Sequence, residues 1–262
     1  MTTILASSVN ETYKGLLIRW DYRFNTLTML FRLSLFFVFI SLIVGRGELN
    51  QDTIAGTLLG YIVWFYAAIA ISGMNYALVE EAQWGTLEQM FMSPAPSAVI
   101  VLARSFSLLI IATVMLTTIV GGLVVALRVD IPLRWEALPV FGLTMVSLIG
   151  LGFMMAGATL LFKQVDQLAS LSENLLLYLS GAILPVALLP DALGRFAGFL
   201  PTTHGIVLLR QVTLDGVSLG QAWADGGMVW LIVNALAYLV VGWAIFTACE
   251  KIAKRRGSLG QY

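Results

Sequence analysis

The sequence predicts an all-α polytopic membrane protein with about six transmembrane helices. Hydrophobic residues make up 59% of the 262 residues and charged residues only 11%, whereas a soluble domain carries about 25% charged residues. The mean hydropathy is +0.88. So few charged side chains cannot cover a water-facing surface. Several apolar stretches are long enough to cross about 30 Å of hydrocarbon as helices.

The six predicted spans cover residues 27–44, 54–79, 99–127, 138–162, 168–189 and 227–248, within a transmembrane domain of residues 27–250. Arg32 lies in the first span, where its side chain either extends back to the headgroups or takes part in a pathway. Gly56 and Gly60 have the small-xxx-small spacing that lets helices pack closely in lipid. The spans therefore predict a bundle, and residues 251–262 predict a basic tail.

Residues 1–26 are expected to form an N-terminal region with an interfacial helix. Trp20 and Phe24 fall on one helical face with Arg19 beside them, as in a helix at the headgroup boundary; an ordinary basic flank fits the pattern as well. The region has no clean apolar core followed by a cleavage site, so we expect no cleaved signal peptide. The balanced charge, with 15 basic and 15 acidic residues, argues against a nucleic-acid partner.

The distribution of basic residues predicts the orientation. With about six spans both termini lie on one side, and ten of the 15 Lys and Arg residues fall on that side. Because short cytoplasmic loops are enriched in Lys and Arg, both termini are predicted to be cytoplasmic. The polar stretch Glu80–Pro96 then also faces the cytoplasm.

The segment Glu80–Pro96 connects the second and third spans and carries three carboxylates. Written as a helix, it places Trp84, Leu87 and Phe91 at i, i+3 and i+7 on one stripe. Prolines end it, because proline lacks the amide donor and disfavours helix in the preceding residue. We therefore predict a short amphipathic helix that lies across the ends of two spans, with one face free to meet a partner.

A second unusual segment, residues 190–225, contains several Gly and Pro residues and apolar pieces too short to span hydrocarbon. It predicts an external re-entrant hairpin, which is tolerated where protein or water satisfies the backbone. Its marker residues are Pro190, Pro201, His204 and Arg210. His204 has no second histidine or cysteine near it in the sequence, so a metal site is not expected.

The sequence has no GxxxxGK[ST] loop and no catalytic triad that can be placed with confidence, so we expect neither nucleotide binding nor catalysis by this chain. Few ionisable residues lie within the predicted spans, unlike in an ion-driven carrier. Glu173 near the start of the fifth span either lines a cavity or is an interfacial carboxylate. If the chain transports, its energy is expected to come from another subunit.

Several of these stretches resemble the ABC-2 type membrane subunits of ATP-binding-cassette exporters. The stretch from Glu81 through Gly85-Thr86-Leu87-Glu88 to Ser93-Pro94, with Arg104 beyond it, resembles the family's motif after the second span. The stretch from Pro190 through Pro201 to Arg210 resembles the family's re-entrant hairpin. The six-span order also fits, although many transporters share it.

The resemblance implies a permease of a bacterial or archaeal cytoplasmic membrane that works as a pair, with a homodimer expected. Two ATPase subunits would bind ATP and Mg, and this chain would bind no cofactor. In the family, the helix after the second span fits a groove of the ATPase. That coupling role would fall on Glu81, Trp84, Gly85, Thr86, Leu87, Glu88, Phe91, Ser93 and Pro94.

The substrate is less constrained by the sequence. Phe65, Tyr66, Glu173 and Asn174 are the candidates for lining its path, and soft apolar surfaces suit small hydrophobic or amphipathic compounds such as drugs or lipid-like molecules. Export of a polysaccharide or a lipid-linked glycan is the alternative. An ion-driven carrier and a non-transporting membrane assembly subunit also remain open.

Overall fold

The computed structural model describes residues 13, 17, 20–48, 50–92, 96–128, 134–162, 165–183, 185–186 and 189–256. All regular structure in these residues is helical, which confirms the predicted all-α fold. Among the described residues, five helices are long and apolar enough to cross a membrane. The described residues of the N-terminal region, Tyr13, Leu17 and Trp20, are helical and exposed.

The ten helices that can be delimited within the described residues are numbered in chain order. They are α1 Arg23–Val44, α2 Gln51–Gln83, α3 Leu87–Met92, α4 Ser97–Leu127, α5 Ala137–Phe162, α6 Asp166–Leu179, α7 Asp191–Ala197, α8 Thr203–Thr213, α9 Leu219–Ala224 and α10 Gly227–Arg256. The five membrane-crossing candidates are α1, α2 from Thr53, α4, α5 and α10. Five of the six predicted spans thus correspond to helices, each longer than predicted.

The predicted fifth span, residues 168–189, is wrong as a single helix. Helix α6 ends at Leu179, and Gly181 in the following bend has a φ of 88°, a conformation that L side chains rarely adopt. Pro185 beyond the bend has no amide to donate. With about 1.5 Å of rise per residue, α6 covers about 21 Å, short of the roughly 30 Å of a bilayer core.

Helix α6 nevertheless carries the chain most of the way along α2. At its start, the Asn75 amide donates a 2.7 Å hydrogen bond to Asp166. Just beyond its end, Ala182 packs so closely on Gly60 that an added Cβ would lie 2.3 Å from the Ala182 carbonyl oxygen. The small residue at Gly60 therefore makes a close backbone contact, but with the bend after α6 and not with another helix.

Helices α5 and α10 form the closest helix pair of the bundle. A Cβ on Gly242 would lie 2.0 Å from the Gly150 carbonyl oxygen, and a Cβ on Gly150 would lie 2.4 Å from the backbone of Tyr238. Such backbone approach is possible only between small residues. Phe153 and Phe246 fill the adjacent layer and are fully buried. The pair therefore behaves as one packed unit.

Candidate functional site: the Glu81 end, a cavity and the hairpin

The helix predicted within Glu80–Pro96 is in fact the end of one helix and a second, short helix joined by a turn. Helix α2 runs past the predicted span to Gln83, so Glu80 and Glu81 belong to its last turns. Gly85 has a φ of 71°, and α3 then begins at Leu87 and has only six residues. Because glycine reaches this left-handed conformation without steric cost, Gly85 is where the chain changes direction.

Glu81 binds partners within its own chain. Its Oε1 accepts from Arg104 Nη2 at 2.6 Å, and both side chains are only 19% exposed. Arg104 Nη1 also donates to the carbonyl oxygen of Ala77 at 3.1 Å, and the Thr86 hydroxyl donates to Glu81 Oε2. Glu81 thus ties the end of α2, the turn and α4 together within the chain, and its predicted contact with a partner stays a prediction.

The predicted stripe of Trp84, Leu87 and Phe91 is split between two surfaces. Leu87 and Phe91 are buried in the chain's own core, at 1% and 8% exposure, among residues of α2, α4, α5 and α10. Trp84 is 61% exposed and Met92 is 83% exposed. The turn at Gly85 breaks the helical phase, which is why the three residues do not share one face.

Three predicted coupling positions fall wholly or partly outside the described residues. The backbone of Glu88 is helical within α3, but its side chain lies outside the described residues. Ser93 and Pro94 also lie outside them. Their predicted roles stay predictions.

The C-terminal end of α10 also contacts this region. Glu250 accepts a 2.6 Å hydrogen bond from the Ser97 hydroxyl at the start of α4. Its other oxygen lies 2.6 Å from Lys254 Nζ, and that ammonium lies 5.5 Å from the centre of the Phe91 ring. We call this assembly of the α2 terminus, α3, the start of α4 and the end of α10 the Glu81 end.

A cavity of about 530 Å³ lies between α1, α2, α4 and α6. Its walls include Arg32, Trp64, Phe65, Tyr76 and Glu173. Arg32 makes no ion pair with any described residue within 4.0 Å. The cavity thus combines an aromatic wall with charged groups from three helices, Arg32 of α1, Glu80 of α2 and Glu173 of α6.

The structure divides the predicted path residues into two groups. Phe65 and Glu173 line the cavity, where the Ser72 hydroxyl donates to the Glu173 carboxylate. Tyr66 is buried, and its hydroxyl pairs with that of Thr113 at 2.7 Å. Asn174 is exposed on α6 and is not part of the cavity wall. Glu173 is therefore a cavity-lining residue, one of the two alternatives that the sequence left open.

At the opposite end of the bundle, α7 and α8 form a hairpin held through backbone carbonyls. Pro190 precedes α7, and Pro201 is buried in the turn before α8. Arg210 Nε donates to the Gly56 carbonyl at 2.9 Å, and Arg210 Nη2 donates to the Ala182 carbonyl at 3.2 Å. Arg210 thereby ties the hairpin to α2 and to the bend after α6.

His204 and helix α10 hold the other side of the hairpin. Nε2 of His204 lies 2.9 Å from the Gly198 carbonyl oxygen and contacts the indole nitrogen of Trp230. Burial lowers the pKa of His204, and the hydrogen bond to Gly198 partly offsets this. The Tyr238 hydroxyl donates to the Phe199 carbonyl at 3.1 Å. These contacts give His204 a structural role in the hairpin.

Sequence reasoning missed two polar clusters. Asn75 is fully buried and joins Asp166 on α6 to Thr159 on α5, whose hydroxyl donates to the Asn75 side chain at 3.0 Å. Glu250 and Ser97 meet although 153 positions separate them. The one available signal was the presence of these polar residues beside strongly apolar stretches.

This architecture is that of a helical membrane permease with an elaborated connection after its second span. Residues 12–214 match the family model of the ABC-2 type transporter. The chain belongs to the ABC-2 type transporter family, which makes it a multi-pass transmembrane subunit of an ABC transporter.

Two curated relatives are similar over part of the chain. Nodulation protein J of Rhizobium leguminosarum bv. viciae is 34% identical over 113 residues, which is 43% of this chain and 40% of the relative. Nodulation protein J of Sinorhizobium fredii is 31% identical over 105 residues, 40% of this chain and 37% of the relative. The aligned part thus spans about two fifths of the length of these relatives.

Proposed function

We propose that this chain is the permease subunit of an ATP-driven exporter that moves an amphipathic compound out of the cell. One observation carries the proposal. At the Glu81 end, the exposed Trp84 and Met92 flank residues that are packed and bonded to the ends of α2, α4 and α10. A partner that pushes on this surface would therefore push on three membrane helices together.

In this proposal the Glu81 end and both termini face the cytoplasm, where two ATPase subunits bind and hydrolyse ATP with Mg. A second copy of the permease completes the transporter. The chain itself carries no GxxxxGK[ST] loop, so the ATPase subunits supply the nucleotide site. Because packed helices move as rigid bodies, closure of the ATPases would shift α2, α4 and α10, together with α5 packed on α10, relative to the rest of the bundle.

The cavity favours a substrate with one apolar and one polar part. Trp64 and Phe65 supply an apolar wall, and Arg32 and Glu173 supply groups that can bind a polar head. Its volume of about 530 Å³ lies within the roughly 300–1,000 Å³ usual for small-molecule pockets. A drug-like or lipid-like amphiphile fits this chemistry.

Export of a polysaccharide or a lipid-linked glycan is the second candidate. Ser72 and Tyr76 add hydroxyl groups to the charged residues of the cavity, and such groups can hydrogen-bond to sugars. Both curated relatives are also named for nodulation.

The coupling proposal is tested on the purified complex of this chain with its co-purifying ATPase, reconstituted in proteoliposomes. We expect Trp84→Ala combined with Met92→Ala to lower transport per ATP hydrolysed at least fivefold. Trp135→Ala is the matched control, because Trp135 is 85% exposed at the far end of the bundle. Wild-type transport per ATP in the double variant would refute the proposed coupling surface, and transport that persists without ATP would indicate an ion-driven carrier.

The substrate is tested in the same proteoliposomes with fluorescent amphiphiles and with a lipid-linked glycan. We expect Arg32→Gln to reduce transport of the accepted class several-fold, whereas Arg23→Gln, on the same helix outside the cavity wall, has no effect. Transport of the glycan alone would select the second candidate. Equal transport by Arg32→Gln and wild type would remove the cavity from the path.

A further inference from the structure

We infer that Glu250 is a positioning residue for coupling: together with Lys254 it holds α3 against α10, and α10 carries movement of the Glu81 end to the hairpin. The inference rests on the proposed function, because it assumes that an ATPase acts on this end. The inference concerns the C-terminal end of α10, where the sequence alone predicted only a basic tail.

Glu250 is well placed to fix the position of one other helix, α4, relative to α10. Its side chain is only 12% exposed, and both of its oxygens are engaged at 2.6 Å, one by the Ser97 hydroxyl and the other by Lys254. Ser97 is the first residue of α4. The carboxylate therefore ties the start of α4, directly after the α2–α4 connection, to the end of α10.

Lys254 adds the contact to α3. Its ammonium lies 5.5 Å from the centre of the Phe91 ring, and Phe91 is 8% exposed in the same cluster as Phe246 and Ala253. A cation over an aromatic face is attracted by the ring quadrupole. One side chain of α10 thus contacts both Glu250 and the core of α3.

The two residues are not expected to contribute equally. The Lys254 side chain is 47% exposed, and exposed ion pairs contribute little because water screens them. Glu250 is mostly buried and makes charge-assisted hydrogen bonds, which are the stronger kind. Loss of the Glu250 carboxylate should therefore release the contact more completely than loss of Lys254.

Helix α10 is continuous between this contact and the hairpin. Trp230, Asn234 and Tyr238 follow one another at intervals of four residues, and the last two donate to the Phe199 carbonyl at 3.4 and 3.1 Å. From Trp230 to Glu250 the helix rises about 30 Å, at about 1.5 Å per residue. Between them, Gly242 packs against Gly150 with no room for a Cβ. A rigid helix fixed at both ends transmits displacement from one end to the other.

Hydrogen exchange on the complex with its ATPase tests the inference, because a coupled path requires evidence of coupling and not only of contact. Amide exchange over residues 198–213 is compared between the nucleotide-free complex and the complex trapped with ATP and vanadate. We expect a clear difference in the wild type. Glu250→Gln should reduce that difference at least fivefold, and Lys254→Met should reduce it about twofold.

Two control variants separate positioning from a general effect of charge. Lys254→Arg keeps the cation and should retain the wild-type difference. Lys251→Met removes an exposed charge on the same turn and should also retain it. A hairpin that does not respond to nucleotide in the wild type, or that responds equally in Glu250→Gln, would overturn the inference.

The outcomes also separate this inference from the proposed function. ATPase co-purification and wild-type transport test whether the chain is a coupled permease, independently of the hairpin. If both are present and the hairpin response is insensitive to Glu250, only the α10 inference fails. If no ATPase co-purifies and transport is absent, the proposed function itself fails.

Discussion

The two ends of the bundle are held together by different chemistry. At the Glu81 end, side chains pair with side chains, as in Glu81 with Arg104 and Glu250 with Lys254. At the hairpin end, side chains mainly donate to backbone carbonyls: Arg210 to Gly56 and Ala182, and Tyr238 to Phe199. One end is an ion-pair assembly, and the other is an irregular backbone with its carbonyls satisfied.

The difference follows from what each end must do. Irregular backbone at membrane depth is tolerated only where protein groups or water satisfy its polar atoms, so the hairpin needs fixed donors. The Glu81 end instead carries ion pairs that can be rearranged without exposing backbone groups. We therefore expect hairpin substitutions to act mainly on folding and Glu81-end substitutions to act mainly on coupling.

The largest effect is expected at Arg210. Arg210→Met removes both donors from two carbonyls, and hydrogen bonds from a charged group contribute about 1.5–3 kcal/mol each, so we expect a loss of about 4 kcal/mol in stability. Thermal unfolding in detergent, followed by the fraction of monodisperse protein, measures it. Arg195→Met is the control, because Arg195 is exposed on α7; equal melting of the two variants would refute the carbonyl-bridging role.

The next largest effect is expected in the helix pair that joins the two ends. Gly150→Ala would place a Cβ 2.4 Å from the backbone of Tyr238, so α5 and α10 must separate, and overpacking of this kind costs up to about 3 kcal/mol. Gly142→Ala lies on the same helix with no atom within 4 Å of the added Cβ. Only the first variant should lower the melting temperature, and equal melting of both would show that the pair is not closely packed.

The sequence predicted the architecture well because hydropathy depends on composition. Five of the six predicted spans are continuous helices, and the second span was recognised although its helix continues to Gln83. The fifth span was wrongly predicted as one continuous helix because hydropathy does not report continuity. The bend at Gly181 interrupts an apolar stretch without changing its average polarity.

The site was predicted only in part, because a periodic pattern, like hydropathy, does not report where a helix breaks. The motif identified Glu81 and Arg104, which do lie together, but a stripe at i, i+3 and i+7 assumes an unbroken helix. The positive φ of Gly85 resets the helical phase, so Trp84 is exposed while Leu87 and Phe91 are buried. Contacts between distant positions, such as Ser97 with Glu250, leave no periodic signal in a single sequence.

A smaller effect on stability is expected at Glu81, with a larger one on coupling. Glu81→Gln keeps the shape but weakens the bond to Arg104, which at 19% exposure should cost about 1–2 kcal/mol. We expect transport per ATP to fall several-fold, while melting changes by only a few degrees. Glu136→Gln is the control, because its pair with Arg134 is 4.0 Å long and more than 40% exposed. An unchanged transport ratio in Glu81→Gln would contradict the division between the two ends.

The smallest effect is expected at Tyr238. It tests, at the hairpin end, the contrast between ion pairs at the Glu81 end and carbonyl bonds at the hairpin. Tyr238→Phe removes one of the two α10 side-chain donors to the Phe199 carbonyl, so the cost should be about 1 kcal/mol, since Asn234 remains in reach at 3.4 Å. Tyr178→Phe, at an exposed position of α6, is the control for loss of a tyrosine hydroxyl. The described residues of the hairpin are held by carbonyl bonds and make no ion pair. Tyr238→Phe should therefore lower the melting temperature equally at low and high salt, whereas Glu81→Gln should lose part of its effect as salt rises. A salt-dependent shift in Tyr238→Phe would mean that charge, and not backbone satisfaction, holds the hairpin.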